Sequence, residues 1–131
     1  MNQNLMVVFV CEHGAAKSIL AAAYFNRLAS EMGLGLQAVA RGTNPDPELS
    51  SRTLEGLLAD GLVPTESIPQ KLTDADIQNA QRVITFCELP TKYQKQGGVE
   101  RWEDIPPVSE DYERARDAIL VRLKAIMREP I

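Results

Sequence analysis

With 131 residues, 44% of them hydrophobic, the chain is long enough for one domain (1–131) whose core needs no staples, and two widely separated cysteines do not make a secreted disulfide framework. A net charge of −4 without a visible basic patch argues against nucleic acid, whose affinity rests on Lys and Arg neutralising phosphates. No basic segment leads into an apolar run and cleavage site, and no apolar stretch approaches the ~20 residues of a membrane span, so a cytoplasmic protein without a membrane partner is expected.

Leu5 to Val10 is a continuous apolar run rich in β-branched residues, the pattern of a central parallel strand buried on both faces. Ser18 to Met32 follows as a helix, with Ala21, Ala22, Phe25, Leu28 and Ala29 on one face, and Gly33 and Gly35 stop it. Leu36 to Ala40 is a short second strand. The turn-rich segment from Arg41 to Pro47 leads into a helix predicted from Glu48 to Asp60 and ended by Gly61. Thr73-Asp-Ala-Asp76 supplies an N-cap and an acidic first turn for a short third helix. Arg82 to Phe86 reads as the third strand, and Glu88 to Gly98, with Pro90 and the Gly97-Gly98 pair, as a polar loop. Val99 to Trp102 reads as a short edge strand. A last helix from Ser109 to Arg128 turns Tyr112, Ala115, Ala118, Ile119, Val121, Leu123 and Ile126 toward the sheet. This alternation predicts an α/β three-layer sandwich, a four-stranded parallel sheet with helices on both faces.

The chemistry is concentrated in Val7-Val-Phe-Val-Cys11-Glu-His-Gly-Ala-Ala-Lys17-Ser18, a buried strand running through a small-residue loop into a helix. Such a loop turns backbone N–H groups inward, and the helix dipole adds positive potential, so Glu12, His13, Gly14, Ala15, Ala16 and Lys17 outline an oxyanion cradle for phosphate or arsenate. A cysteine at its mouth gains thiolate character and nucleophilicity from the same field. Lys17 adds a formal charge, and the Ser18 hydroxyl can hydrogen-bond the thiolate. Cys11, Lys17 and Ser18 are therefore the candidate catalytic set. The competing reading makes Cys11 an inert filler at a strand end. His13 is the chain's one histidine, so no histidine metal cluster can be built; a structural loop role is its default, and no cofactor is expected.

The spacing from Cys11 to Lys17-Ser18 resembles the C-x5-R-S loop of the low-molecular-weight tyrosine phosphatases and thioredoxin-coupled arsenate reductases, with Lys in the Arg position. Ala40-Arg-Gly-Thr43 is similar to the family's S-A-G-T turn after its second strand, and Leu57-Leu58 to Gly61-Leu-Val-Pro64 to its second helix and exit. Leu72 to Ala80, running into Val83-Ile-Thr-Phe-Cys87, resembles the reductase pattern of helix, strand and following cysteine. Trp102 and the acidic, proline-containing turn after it also have counterparts. The resemblance implies a cysteine-dependent hydrolase or reductase acting on a phosphomonoester or arsenate, with thioredoxin as a partner in the reductase case.

Three departures qualify it. Lys17 is a hydrated point charge where the family's arginine offers a planar fork; Arg41 is either a compensating cation or a solvated surface residue. The family's general acid is an Asp directly before Pro near the last helix, whereas here the turn reads Trp102-Glu-Asp104-Ile-Pro106-Pro107. Pro106 holds the acid's place, which makes Asp104 the candidate acid with Glu103 behind it. The reductases use a pair of resolving cysteines after the third strand; here Cys87 stands alone, either as a redox partner of Cys11 or as a buried thiol. Three functional readings follow: an enzyme, a regulatory oxyanion-binding domain that has lost catalysis, and a phosphocysteine carrier suggested by Cys11-x-x-Gly14-x-x-x-Ser18.

Overall fold

A computed structural model describes residues 5–94 and 99–128 of the chain. In order it contains strand β1 (Leu5–Cys11), helix α1 (Lys17–Glu31), β2 (Leu36–Gly42), α2 (Ser51–Ala59), α3 (Asp74–Asn79), β3 (Ala80–Thr85), α4 (Thr91–Gln94), β4 (Val99–Arg101) and α5 (Tyr112–Met127). The strands pair in parallel in the order β2-β1-β3-β4. The chain thus steps from β1 to one side and then crosses back over it, which leaves a crevice beyond the carboxyl ends of β1 and β3, where open α/β sheets bind ligands.

The expected three layers are present. On one face Val7 and Phe9 of β1, Ala38 and Ala40 of β2 and Ile84 of β3 pack against α1, α2 and α5. On the other, Val8, Val10 and Val83 meet Leu72, Ile77 of α3, Leu89 and Tyr93 of α4. The small residues Ala38 and Ala40, facing Ala21, Ala22 and Ala29, let α1 lie close to the sheet, and the Phe25 ring meets Phe9 edge-on at 5.8 Å. Side chains close the free edge of β2. The Asn26 amide donates to the Ala38 carbonyl and accepts from its N–H, while Glu66 accepts from the Ala40 N–H.

Element starts follow the caps. The second helix opens at Ser51, because the Ser50 hydroxyl accepts from the Thr53 N–H, and the last opens at Tyr112, because Asp111 accepts from Arg114. Thr73 and Asp76 form a reciprocal capping box before α3. The polar loop predicted after β3 contains the short helix α4, and its Gly97-Gly98 pair lies outside the described residues. Val121, expected on the buried stripe of α5, is 70% exposed, whereas Ala115, Ile119 and Leu123 are fully buried.

α2 is tied to α1 and α5 by one carboxylate. Asp60, at the end of α2, accepts from the Tyr24 hydroxyl at 2.5 Å and the Tyr112 hydroxyl at 2.9 Å, and Arg116 approaches at 3.3 Å. Burial alone would raise the Asp60 pKa, but the two hydroxyls and the Arg116 charge outweigh it and hold the carboxyl below its ordinary range. Burial, and then the bond to Asp60, push Tyr24 up to about 12 and raise Tyr112 as well. Asp60→Asn is therefore expected to cost about 1–3 kcal/mol at pH 7 in urea unfolding. Because the folded carboxyl titrates low, its contribution is present above pH ~4 and fades as pH falls through the folded value, so the difference between wild type and variant should shrink as pH is lowered below about 4. Tyr24 acts oppositely, with stability present below pH ~10 and lost as pH climbs through about 12, and the raised Tyr112 acts in the same direction.

Candidate active site

β1 delivers Cys11 to the crevice, and residues 12–16 connect it to α1. This loop is held from outside. The carbonyls of Cys11, Glu12, His13 and Ala15 accept hydrogen bonds from the N–H groups of Thr43, Asn44, Asp46 and Ser50, at 3.2, 2.7, 3.0 and 2.9 Å. In a planar trans peptide the following N–H points opposite to the carbonyl, so the amides of Glu12, His13 and Ala16 turn away from that segment, toward the cavity those residues line. Gly14 takes φ +61° and lies against Gly42, where a Cβ on either residue would stand 2.9 Å or less from the other's backbone nitrogen. The cradle geometry therefore depends on two glycines on different elements.

The cavity, about 490 Å³, is lined by Cys11, Glu12, His13, Ala15, Ala16 and Lys17, with Asp46, Ser50, Phe86, Cys87, Pro107, Val108 and Ser109 completing its walls. Cys11 is 8% exposed, and its Sγ lies 3.0 Å from the buried Ser18 Oγ. α1 starts at this point without a side-chain cap on Ala16, in contrast to α2, α3 and α5, so its first N–H groups are open to an anion. Lys17 reaches the cavity, and among the described residues no carboxylate pairs with it.

Several sequence expectations are relocated. Gly14 does not line the cavity; it supplies the loop's close approach to Gly42. Asp104 lies outside the cavity as well. Its carboxylate is engaged by Arg122, whose guanidinium lies 5.5 Å from the centre of the buried Trp102 ring, and Glu103 pairs with Arg101. Asp104 is thus turned toward α5 rather than toward Cys11. Arg41 is neither a compensating cation nor a solvated residue: it is mostly buried between Asp76 at 3.0 Å and Glu66 at 3.2 Å, on the α3 side.

Cys87 shares the cavity with Cys11. The Thr85 hydroxyl accepts from the Cys87 N–H and donates to its carbonyl, forming the turn that brings the thiol there. Burial first, and then the neighbouring Cys11 and Glu12, push the Cys87 thiol pKa up against the hydrogen bonds from Thr85 and Thr43. Both cysteines are free thiols.

Sequence reasoning missed Asp46. The Asn-Pro-Asp-Pro run was read as a turn, yet the loop after β2 must pass the carboxyl end of adjacent β1, and Asp46 Oδ1 sits 3.1 Å from His13 Nδ1. The family's Asp-Pro acid is expected near the last helix, whereas the chain's Asp-Pro pair is Asp46-Pro47.

A model of the family described as low molecular weight phosphotyrosine protein phosphatase matches residues 6–103. Among solved structures, the arsenate reductase of Archaeoglobus fulgidus is 26% identical, covering 94% of this chain and 99% of that one with a TM-score of 0.78. A thioredoxin-dependent arsenate reductase of Corynebacterium glutamicum is 25% identical, covering 94% and 62% with a TM-score of 0.70. A low molecular weight protein tyrosine phosphatase of T. tengcongensis shares the fold at 17% identity, covering 94% and 97% with a TM-score of 0.84.

Proposed function

Since the chain belongs to the low molecular weight phosphotyrosine protein phosphatase family, and is thereby a cysteine-dependent phosphatase or arsenate reductase, we propose that it hydrolyses a phosphomonoester through a phosphocysteine on Cys11. The observation that carries this reading is the Cys11 Sγ to Ser18 Oγ contact of 3.0 Å at the base of a cavity lined by loop amides and Lys17. Cys11 as thiolate attacks phosphorus, the loop amides and Lys17 stabilise the equatorial oxygens, and the Ser18 hydroxyl stabilises the sulfur when it leaves again. Lys17 grips less directionally than an arginine fork, so charge rather than bidentate geometry selects the anion.

Cys87 favours a second reading. With arsenate in place of phosphate, Cys11 sulfur would bond to arsenic as an arsenic–oxygen bond breaks and water leaves, and Cys87 sulfur, its proton passing to solvent, would then attack Cys11 sulfur. The disulfide forms as the sulfur–arsenic bond breaks, its electron pair staying on arsenic as arsenite, and thioredoxin would then reduce the disulfide. Assaying the purified protein on 4-nitrophenyl phosphate and, separately, on arsenate with thioredoxin decides between the two readings. Inactivity in both assays together with saturable phosphate binding would point instead to a regulatory oxyanion-binding role.

Phosphate itself tests the cradle. Bound only by the folded state, it should raise the melting temperature of wild type, by about 2.7 kcal/mol of stabilisation at a hundred times its Kd. Lys17→Ala should remove most of that rise in a thermal shift titration. A wild-type melting temperature indifferent to saturating phosphate would overturn the cradle.

A further inference from the structure

Asp104 faces Arg122, and the cavity wall nearest the last helix, Pro107, Val108 and Ser109, holds no titratable side chain, so a leaving oxygen has no proton source from that direction. Among the described residues, the titratable groups that do face the cavity are Cys11, Glu12, His13, Lys17, Asp46 and Cys87. Cys11 and Lys17 are used by the reaction, Cys87 has its thiol pushed up, and the Glu12 carboxylate has no hydrogen-bond partner among the described residues to aim it. His13 is held beside Asp46. Its Nδ1 meets Asp46 Oδ1 at 3.1 Å, and its carbonyl accepts from the Asp46 N–H at 3.0 Å. Cys11 is buried at the base, whereas the His13 and Asp46 side chains are 54% and 49% exposed, so the pair occupies the mouth. An in-line displacement by a nucleophile at the base directs the leaving oxygen toward that mouth.

We propose that His13 is the general acid and base of the reaction, with Asp46 as its positioning residue; this rests on the phosphomonoester reading above. The Asp46 carboxylate, 3.1 Å from Nδ1, favours a proton on that nitrogen, which leaves Nε2–H as the transferable proton. In the first step the sulfur–phosphorus bond forms and the phosphorus–oxygen bond breaks, and the departing alkoxide or phenolate takes the proton from Nε2. In the second, neutral Nε2 takes a proton from water as the water oxygen bonds to phosphorus and the Cys11 thiolate departs. The imidazolium is thereby restored, and orthophosphate is released. Imidazole is suited to both transfers because it changes charge near neutral pH.

The test is the dependence on leaving group. Phenolate is a far stronger base than 4-nitrophenolate, so loss of an acid slows phenyl phosphate more than 4-nitrophenyl phosphate. His13→Asn keeps an amide near the Nδ1 position for Asp46 and removes Nε2. It should lower kcat on phenyl phosphate about a hundredfold, and at least roughly ten times more than on 4-nitrophenyl phosphate. Asp46→Asn should lower kcat on phenyl phosphate several-fold with KM unchanged, a split that loop bracing alone does not produce. If His13→Asn does not fold, as judged by its phosphate-dependent melting, His13→Gln carries the same comparison. Equal losses on the two esters overturn the proposal, as does a larger leaving-group effect in Asp46→Asn than in His13→Asn, which would make Asp46 the acid itself. A wild type inactive on both esters overturns the phosphomonoester reading and this inference with it, whereas an active wild type with equal losses overturns the inference alone.

Discussion

Cys11→Ser is expected to abolish whichever turnover the wild type shows, of aryl phosphates or of arsenate, lowering kcat by on the order of 10⁴-fold or more, while the protein should still fold and bind phosphate. A hydroxyl occupies nearly the same volume as the thiol but remains protonated at neutral pH, and neither the loop amides nor Lys17 can make it an adequate nucleophile. The fold should tolerate the change, because Cys11 contributes a single small side chain at a strand end and its carbonyl bond from Thr43 is a backbone contact. Steady-state assays with the variant, alongside phosphate-dependent melting, separate chemistry from binding. Activity of the variant within tenfold of wild type would place the chemistry on another group.

Gly42→Ala should be the most disruptive single-atom addition near the site. A Cβ there would stand 2.7 Å from the Gly14 nitrogen, 2.9 Å from its Cα and 3.0 Å from the His13 carbonyl carbon, all backbone atoms that no rotamer change can move aside. Relief requires the loop to shift, yet its carbonyls are clamped to residues 43–50 and Gly14 already holds φ +61°. Overpacking of this kind costs about 1–3 kcal/mol, and the displaced amides no longer converge on an anion. Urea unfolding should show the loss of stability, and saturating phosphate should no longer raise the melting temperature. A variant with the wild-type response in both measurements would show that the two glycines are not what shapes the loop.

Much of the architecture could be read from the residues in order. The apolar run of the first strand lies buried in mid-sheet over Val7, Val8, Phe9 and Val10, because a parallel strand covered on both faces has no polar side to show. Thr73 and Asp76 cap α3 as their spacing implies, since a capping box closes within four residues. Boundaries elsewhere moved by a few residues where the cap was Ser50 or Asp111, which look like loop residues until the N–H they accept from is known. Val121 fell on the wrong side of the last helix because the stripe that is buried depends on what α5 packs against, namely α1 and α2.

At the site, sequence by itself determined the strand–loop–helix carrying Cys11, Lys17 and Ser18, because these residues are neighbours along one short segment and local geometry brings them together. Tertiary structure decided everything contributed across the crevice. The order β2-β1-β3-β4 sets the loop after β2 beside the Cys11 loop, so Asp46 meets His13 and Gly42 meets Gly14 across roughly thirty residues of chain. It also turned Asp104 away, since Arg122, one of several cations on α5, lies over Trp102 within reach of that carboxylate. Spacing along the chain records which groups are near in sequence. Which of two nearby carboxylates faces a cavity is settled by the charge each finds on the neighbouring element, and a linear pattern does not contain that.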